Sequence, residues 1–186
     1  ITLGEERHGN VMDSQTHLYN HNTAGTQFGR GCAIGDITVD GDGDSDAHAQ
    51  FSVGSGMIWD EDIENVQPAK ALLDTIPILY RIGTDPTGTW RVAAETTYVS
   101  YNGGSGRPYY NENVGGTWQL TEATSNDYFC MHLYATNDIM RAHSYMLIMG
   151  QEGYNTVSSA RAGAETELFN ISTDGLPTVE LKSIAT

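Results

Sequence analysis

Apolar and polar residues alternate with a period of two in a series of short runs. In the run from Ala33 to Val39, Ile37 and Val39 share one face. In that from Ala47 to Val53, Ala49, Phe51 and Val53 share another, with Thr38, His48 and Gln50 opposite. This is the pattern of half-buried β-strands, and the two runs read as a hairpin. Further strands are expected at Thr16 to Asn20, Met57 to Asp60, Ile76 to Ile82, Thr89 to Ala93, Thr97 to Tyr101, Thr117 to Ala123, Tyr128 to Ala135, Ser144 to Met149 and Thr178 to Ile184. The period changes between Ser158 and Phe169, where Ala160, Ala164 and Leu168 recur every fourth residue behind a capping Ser158 or Ser159, so a helix is expected there. Gln67 to Asp74 could form a short crossover helix, limited by Pro77.

Turn residues punctuate these runs. Asp85-Pro86-Thr87-Gly88 and Ser125-Asn126-Asp127 each follow a strand-like segment, and 21 glycines and ten tyrosines suit a chain of strands and tight turns. Two longer stretches, Asn22 to Gly31 and Asn102 to Gly116, read as glycine-rich connections. The fold class expected is therefore all-β: an antiparallel β-sandwich or jelly-roll-like domain over positions 1–186 with one short C-terminal helix. The start at Ile1 and end at Thr186 are compatible with a processed product or a piece of a longer polypeptide. Cys32 and Cys130 both sit in strand-like runs and read as two buried thiols rather than a disulfide.

Charge narrows the classes of partner. The formal net charge is −15, only two of the nine basic residues are lysines (Lys70 and Lys182), and the seven arginines are scattered singly. A chain of this kind lacks the basic stripe that releases counterions from a phosphate backbone, so no nucleic-acid role is expected. Apolar runs such as Tyr145 to Met149 are far shorter than the roughly 20 residues of a membrane-spanning helix, so no membrane insertion is expected.

The densest candidate chemistry is Asp40-Gly41-Asp42-Gly43-Asp44-Ser45-Asp46, at the expected hairpin tip. Asp40, Asp42, Asp44 and Asp46 could turn oxygens toward one calcium ion. An EF-hand is excluded, because Ser45 stands where its glycine is needed and Phe51 where its bidentate glutamate belongs. The alternative is a solvated tip. Two unit charges ~6 Å apart in water repel by only about 0.7 kcal/mol, which such a tip tolerates.

A second cluster comprises His8, Asp13, His17 and His21. On a strand, His17 and His21 would share a face about 13 Å apart at roughly 3.3 Å per residue, too far for one metal. On a helix they would be neighbours able to hold zinc, but Tyr19, Asn20 and Asn22 favour the strand and an interfacial role. Trp59 to Glu64 offers the carboxylates of a glycosidase pair, but spacing alone says little and an acidic turn after the strand ending at Trp59 explains them better. Gly103-Gly104-Ser105-Gly106 lacks the nucleophile-elbow pattern, and Gly29 to Gly35 lacks the dinucleotide fingerprint. Arg107, Tyr109 and Tyr110, in the second glycine-rich stretch, are candidate binding or subunit-interface residues. Asn170-Ile171-Ser172 is a formal glycosylation sequon.

Several segments taken in order carry a family resemblance. They are His8-Gly9 with Met12-Asp13 and Thr16-His17-Leu18-Tyr19; Asp40-Gly41-Asp42-Gly43; Gly56 to Ile63; Gly116 to Glu122; Tyr134 to Ile139; and Gly175-Leu176-Pro177. In this wording the chain resembles uncharacterised virion-associated proteins of tailed bacteriophages, of the tail-fibre or surface-fibre type. The resemblance implies a non-enzymatic structural or host-attachment role in a virion. It also implies other virion subunits as partners, a homotrimer, and contact with a host surface glycan; it transfers no functional residue. Three other readings stay open beside it: a calcium-dependent carbohydrate-binding domain, a polysaccharide-active enzyme, and a subunit of an extracellular filament.

Overall fold

The computed structural model describes residues 13–35, 49–60, 63–93, 95, 97–138, 143–173, 175–176 and 180–186. The first strands are β1 (Thr26–Gly31), β2 (Ile34–Gly35), β3 (Ser52–Val53), β4 (Gly56–Asp60) and β5 (Ile63–Gln67). They make an antiparallel sheet in the order β1-β4-β5 and a short β2-β3 ladder. The larger sheet uses β6 (Ile78–Thr84), β7 (Thr89–Val92), β8 (Tyr109–Val114), β9 (Thr117–Glu122), β10 (Met131–Thr136), β11 (Tyr145–Met149) and β12 (Leu181–Ala185). Its order is β12-β10-β11-β6-β9-β8, with β7 also paired to β6. The fold is mostly β and sandwich-like, with two short helices, α1 (Ser14–Thr23) and α2 (Val157–Asn170). Its pairings are antiparallel except that of β6 with β11, where Ile78 opposes Leu147 and Leu79 opposes Ile148.

The centre of the larger sheet is buried on both faces, and its sequence says why. Tyr145 to Met149 is apolar without interruption, which suits a strand covered on two sides rather than one. Tyr145, Leu147 and Met149 enter one core with Ile78, Leu133 and Ala135, with Val53 and Ile58 of the smaller sheets, and with Phe51 just before β3. Met146 and Ile148 enter a second core on the opposite face with Leu79, Tyr134 and Ile171, packed by Leu168 of α2. The larger sheet thus lies between the smaller sheets and α2. Each fully buried Leu or Ile side chain contributes roughly 1.5–3 kcal/mol relative to exposure.

One polar side chain closes a gap in that sheet. β11 pairs with β6 only at Ile78 and Leu79, and β9 pairs with it at Gly83 and Thr84. Between these contacts Asn111 supplies the missing partner. Its Oδ1 accepts from Arg81 N at 2.6 Å, and its Nδ2 donates to Arg81 O at 2.9 Å and to Gln119 O at 3.0 Å. Asn111 is 1% exposed, so a buried amide here stands in for a strand.

Two basic residues are also built into the interior. Lys70 donates from Nζ to Phe51 O at 2.9 Å and Ala71 O at 3.1 Å and lies 4.5 Å over the Phe51 ring. Arg81 sits between Trp90 and Trp118, 5.4 and 5.5 Å from their rings. Ring faces and carbonyls solvate both cations in place of water.

Several elements differ from expectation. The base of the first hairpin is present, with Ile34 opposite Val53 and Gly35 opposite Ser52; its tip lies outside the described residues. Thr16 to Asn20 is not a strand but part of α1, because Asp13 caps that helix by accepting from Thr16 N at 2.7 Å. The stretches 22–31 and 102–116 contain β1 and β8, which acquire partners in β4 and β9. Thr97 to Tyr101 makes only an isolated bridge between Tyr98 and Gln50. Residues 67–74 form no helix: β5 ends at Gln67, Lys70 bridges Val53 through both backbone groups, and the Asp74 carboxylate accepts from Ala71 N. The C-terminal helix is present, one residue longer at each end than expected and capped by a reciprocal Thr156–Ser159 box rather than by Ser158 or Ser159 alone.

Candidate functional site

Polar groups from separate elements converge on one buried acid, Glu167. It lies on the sheet-facing side of α2, seven residues after the buried Ala160, and is 5% exposed. Alternation on β10 turns His132, like Tyr134, toward the same layer. His132 Nε2 is 3.4 Å from Glu167 Oε1, and its Nδ1 is 2.9 Å from Thr186 Oγ1, just beyond β12. Glu167 Oε1 also accepts from Gln151 N, and Oε2 accepts from the Tyr154 hydroxyl at 3.1 Å. One carboxylate therefore joins α2, β10 and the segment after β11.

Two glycines make this approach possible. A Cβ at Gly163 would overlap the Tyr154 phenol, and one at Gly150 would meet Cys130 O and Glu167 Oε1. A glycine inside a helix costs roughly 1 kcal/mol relative to alanine, and here it makes room for Tyr154. Next to the network is a cavity of about 360 Å³, lined in part by Gln151, Glu152, Tyr154, Thr166, Glu167 and Asn170.

Burial sets the protonation of this region. It pushes the Cys130 thiol up to about 11, with the Glu167 carboxylate adding to the effect, and Cys130 Sγ is 3.6 Å from Ala160 O. A thiol so placed is a poor nucleophile at neutral pH. Burial, then Glu167, also holds the Tyr154 phenol well above its ordinary value, so it stays neutral and donates. The consequence for stability has a definite sign. Cys130 would lose its proton near 9.0 when unfolded but near 11 when folded, so its contribution is complete below pH 9 and is lost as pH rises through 11. Urea denaturation across the alkaline range should show a smaller loss of stability between pH 9 and 11 for Cys130→Ala than for the parent; an equal loss would contradict this assignment.

The residues singled out from sequence are dispersed. Asp40, Asp42, Asp44 and Asp46 lie outside the described residues. Positions 17 and 21 fall one helical turn apart on α1, not at the extended separation expected. Tyr109 and Tyr110 belong to strand β8, not to a loop: Tyr109 packs 5.6 Å from Tyr101, which stacks on Tyr80, and Tyr110 is buried and stacks on Phe129. Arg107 is exposed just before β8, its carbonyl accepting from Gly103 N. Both cysteines are buried and unbridged, as expected. Among the described residues no group of three or more His, Cys, Asp or Glu side chains is arranged to hold a metal ion.

His132 and Glu167 carried a signal in the sequence that pattern reading passed over. Each is the odd polar residue in an apolar context, His132 within Cys130 to Ala135 and Glu167 on the Ala160–Ala164–Leu168 side of the helix. A polar residue in such a position is buried at a cost unless paired. The pairing partner is remote in sequence. Comparison of the chain with family models, with curated proteins and with solved structures finds no match.

Proposed function

We propose that this chain is a non-enzymatic structural module of a bacteriophage virion, part of a tail fibre, receptor-binding protein or head-surface fibre, that assembles with further copies and contributes to host attachment. The observation that carries this reading is apolar exposure away from the two cores. Leu18 and Tyr19 on α1, Phe28 on β1, and Ile63 and Val66 on β5 are each about half exposed or more. Side chains of this size left open to water favour contact with another subunit. The sequence segments that resemble virion-associated proteins, and a rigid sheet covered on both faces, support the same role.

Native mass spectrometry of the purified chain tests the assembly. A trimer is expected, and Phe28→Ser combined with Val66→Ser should shift it to monomer while the far-ultraviolet circular dichroism stays unchanged. A monomeric parent chain would overturn the assembly role. Antibody labelling of the intact particle tests the location: decoration of fibres or the head surface supports the reading, and unlabelled particles refute it.

A further inference from the structure

Beside Glu167 lies a cavity that opens to solvent. Its volume of about 360 Å³ falls at the small end of the roughly 300–1,000 Å³ usual for small-molecule pockets. Its floor is held rigidly, since Glu167 is fixed by Gln151 N, the Tyr154 hydroxyl and the neighbouring His132. Its rim is different. The side chains of Gln151, Glu152, Thr166 and Asn170 make no hydrogen bond within the protein, among the described residues, although all four border the cavity.

We propose that this cavity binds a neutral polyhydroxylated ligand, a pyranose unit of a saccharide. Amides and hydroxyls both donate and accept, and a sugar hydroxyl does the same, so Gln151, Thr166 and Asn170 match it without charge. The Tyr154 oxygen donates to Glu167 and keeps lone pairs for a ligand donor. No basic side chain lines the cavity, which disfavours anionic ligands. A cation is the competing occupant, because two carboxylates are present. Glu167 already accepts from Gln151 N and the Tyr154 hydroxyl with His132 beside it, and Glu152 is solvent-exposed, so neither presents a dehydrated, unanswered charge. The site gains its biological meaning from the attachment role proposed above and rests on that reading.

The test is titration of the ¹⁵N-labelled full chain with glucose, galactose and N-acetylglucosamine, and with spermidine as the cationic comparison. At least one sugar should shift the amide resonances of residues 151–154 and 163–170, with a Kd on the order of 1 mM. Asn170→Ala should weaken that binding about tenfold, and Thr166→Trp should abolish it by filling the cavity, both with unchanged melting temperature. Absence of sugar-induced shifts at these residues, shifts with spermidine alone, or variants that bind like the parent would each overturn the site. A failure here with particle labelling intact removes the sugar site alone. Sugar binding on a chain that labels no particle removes the virion reading alone.

Discussion

Glu167→Leu should lower the free energy of unfolding by about 3–5 kcal/mol, read from urea denaturation at neutral pH. The substitution leaves Gln151 N and the Tyr154 hydroxyl facing an apolar side chain in a buried layer, and takes the carboxylate away from His132. Each orphaned donor costs about 1–3 kcal/mol, and removal of one member of a buried charged network falls in the same total range. Glu167→Gln should be intermediate, because the amide keeps one acceptor oxygen but turns a donor toward a donor. Tyr154→Phe removes a single hydrogen bond and should cost about 1 kcal/mol. The joint cost of Tyr154→Phe and Glu167→Leu should then be less than the sum, since the second change removes what the first no longer uses. A Glu167→Leu protein within about 1 kcal/mol of the parent would mean that the network contributes nothing net.

Asn111→Leu is the second substitution with a large expected effect, again about 3–5 kcal/mol, through the backbone instead of a charge. It leaves Arg81 N, Arg81 O and Gln119 O without their partner at a site closed to water. The size of the side chain is nearly conserved, so loss of packing cannot account for the change. Hydrogen exchange gives a local readout: the Arg81 amide should lose protection well before those of β10 and β11. Asn111→Asp keeps the acceptor for Arg81 N but faces two carbonyls with an acceptor, and it should be destabilised as well. An unaffected Asn111→Leu protein would show that β6 is held by its strand neighbours alone.

The strands that sequence locates well share one property. In β10 and β11 the apolar run and the buried run coincide, because both faces of each strand meet a core. The strands it misses, β1, β5 and β8, are at the margins. β1 and β8 lie in glycine-rich stretches, carry polar residues on both faces, and exist because β4 and β9 offer backbone partners. α1 is the converse case: its residues alternate as a strand would, yet the Asp13 cap supplies a local hydrogen bond that favours the helix.

The candidate site was less legible for a related reason. Sequence reading gathers residues that are close along the chain, and so it favoured Asp40 to Asp46, the His17 and His21 pair, and Tyr109 with Tyr110. Glu167 and His132 are separated by 35 positions' worth of chain (167 − 132), and a lone acid on a helix or a lone histidine in a strand gives no spacing to recognise.

Sequence by itself determined the class of fold, the apolar strands at its centre, the C-terminal helix and the burial of both thiols, since each follows from local periodicity and the preference of apolar groups for the interior. Only the tertiary structure decided that α2 covers one face of the larger sheet while the smaller sheets cover the other. It alone decided, too, that Asn111 completes β6 and that Glu167 ties α2 to β10 and to the segment after β11. Those outcomes depend on which remote backbone and polar groups meet, and a buried polar group is stable only where such a partner arrives.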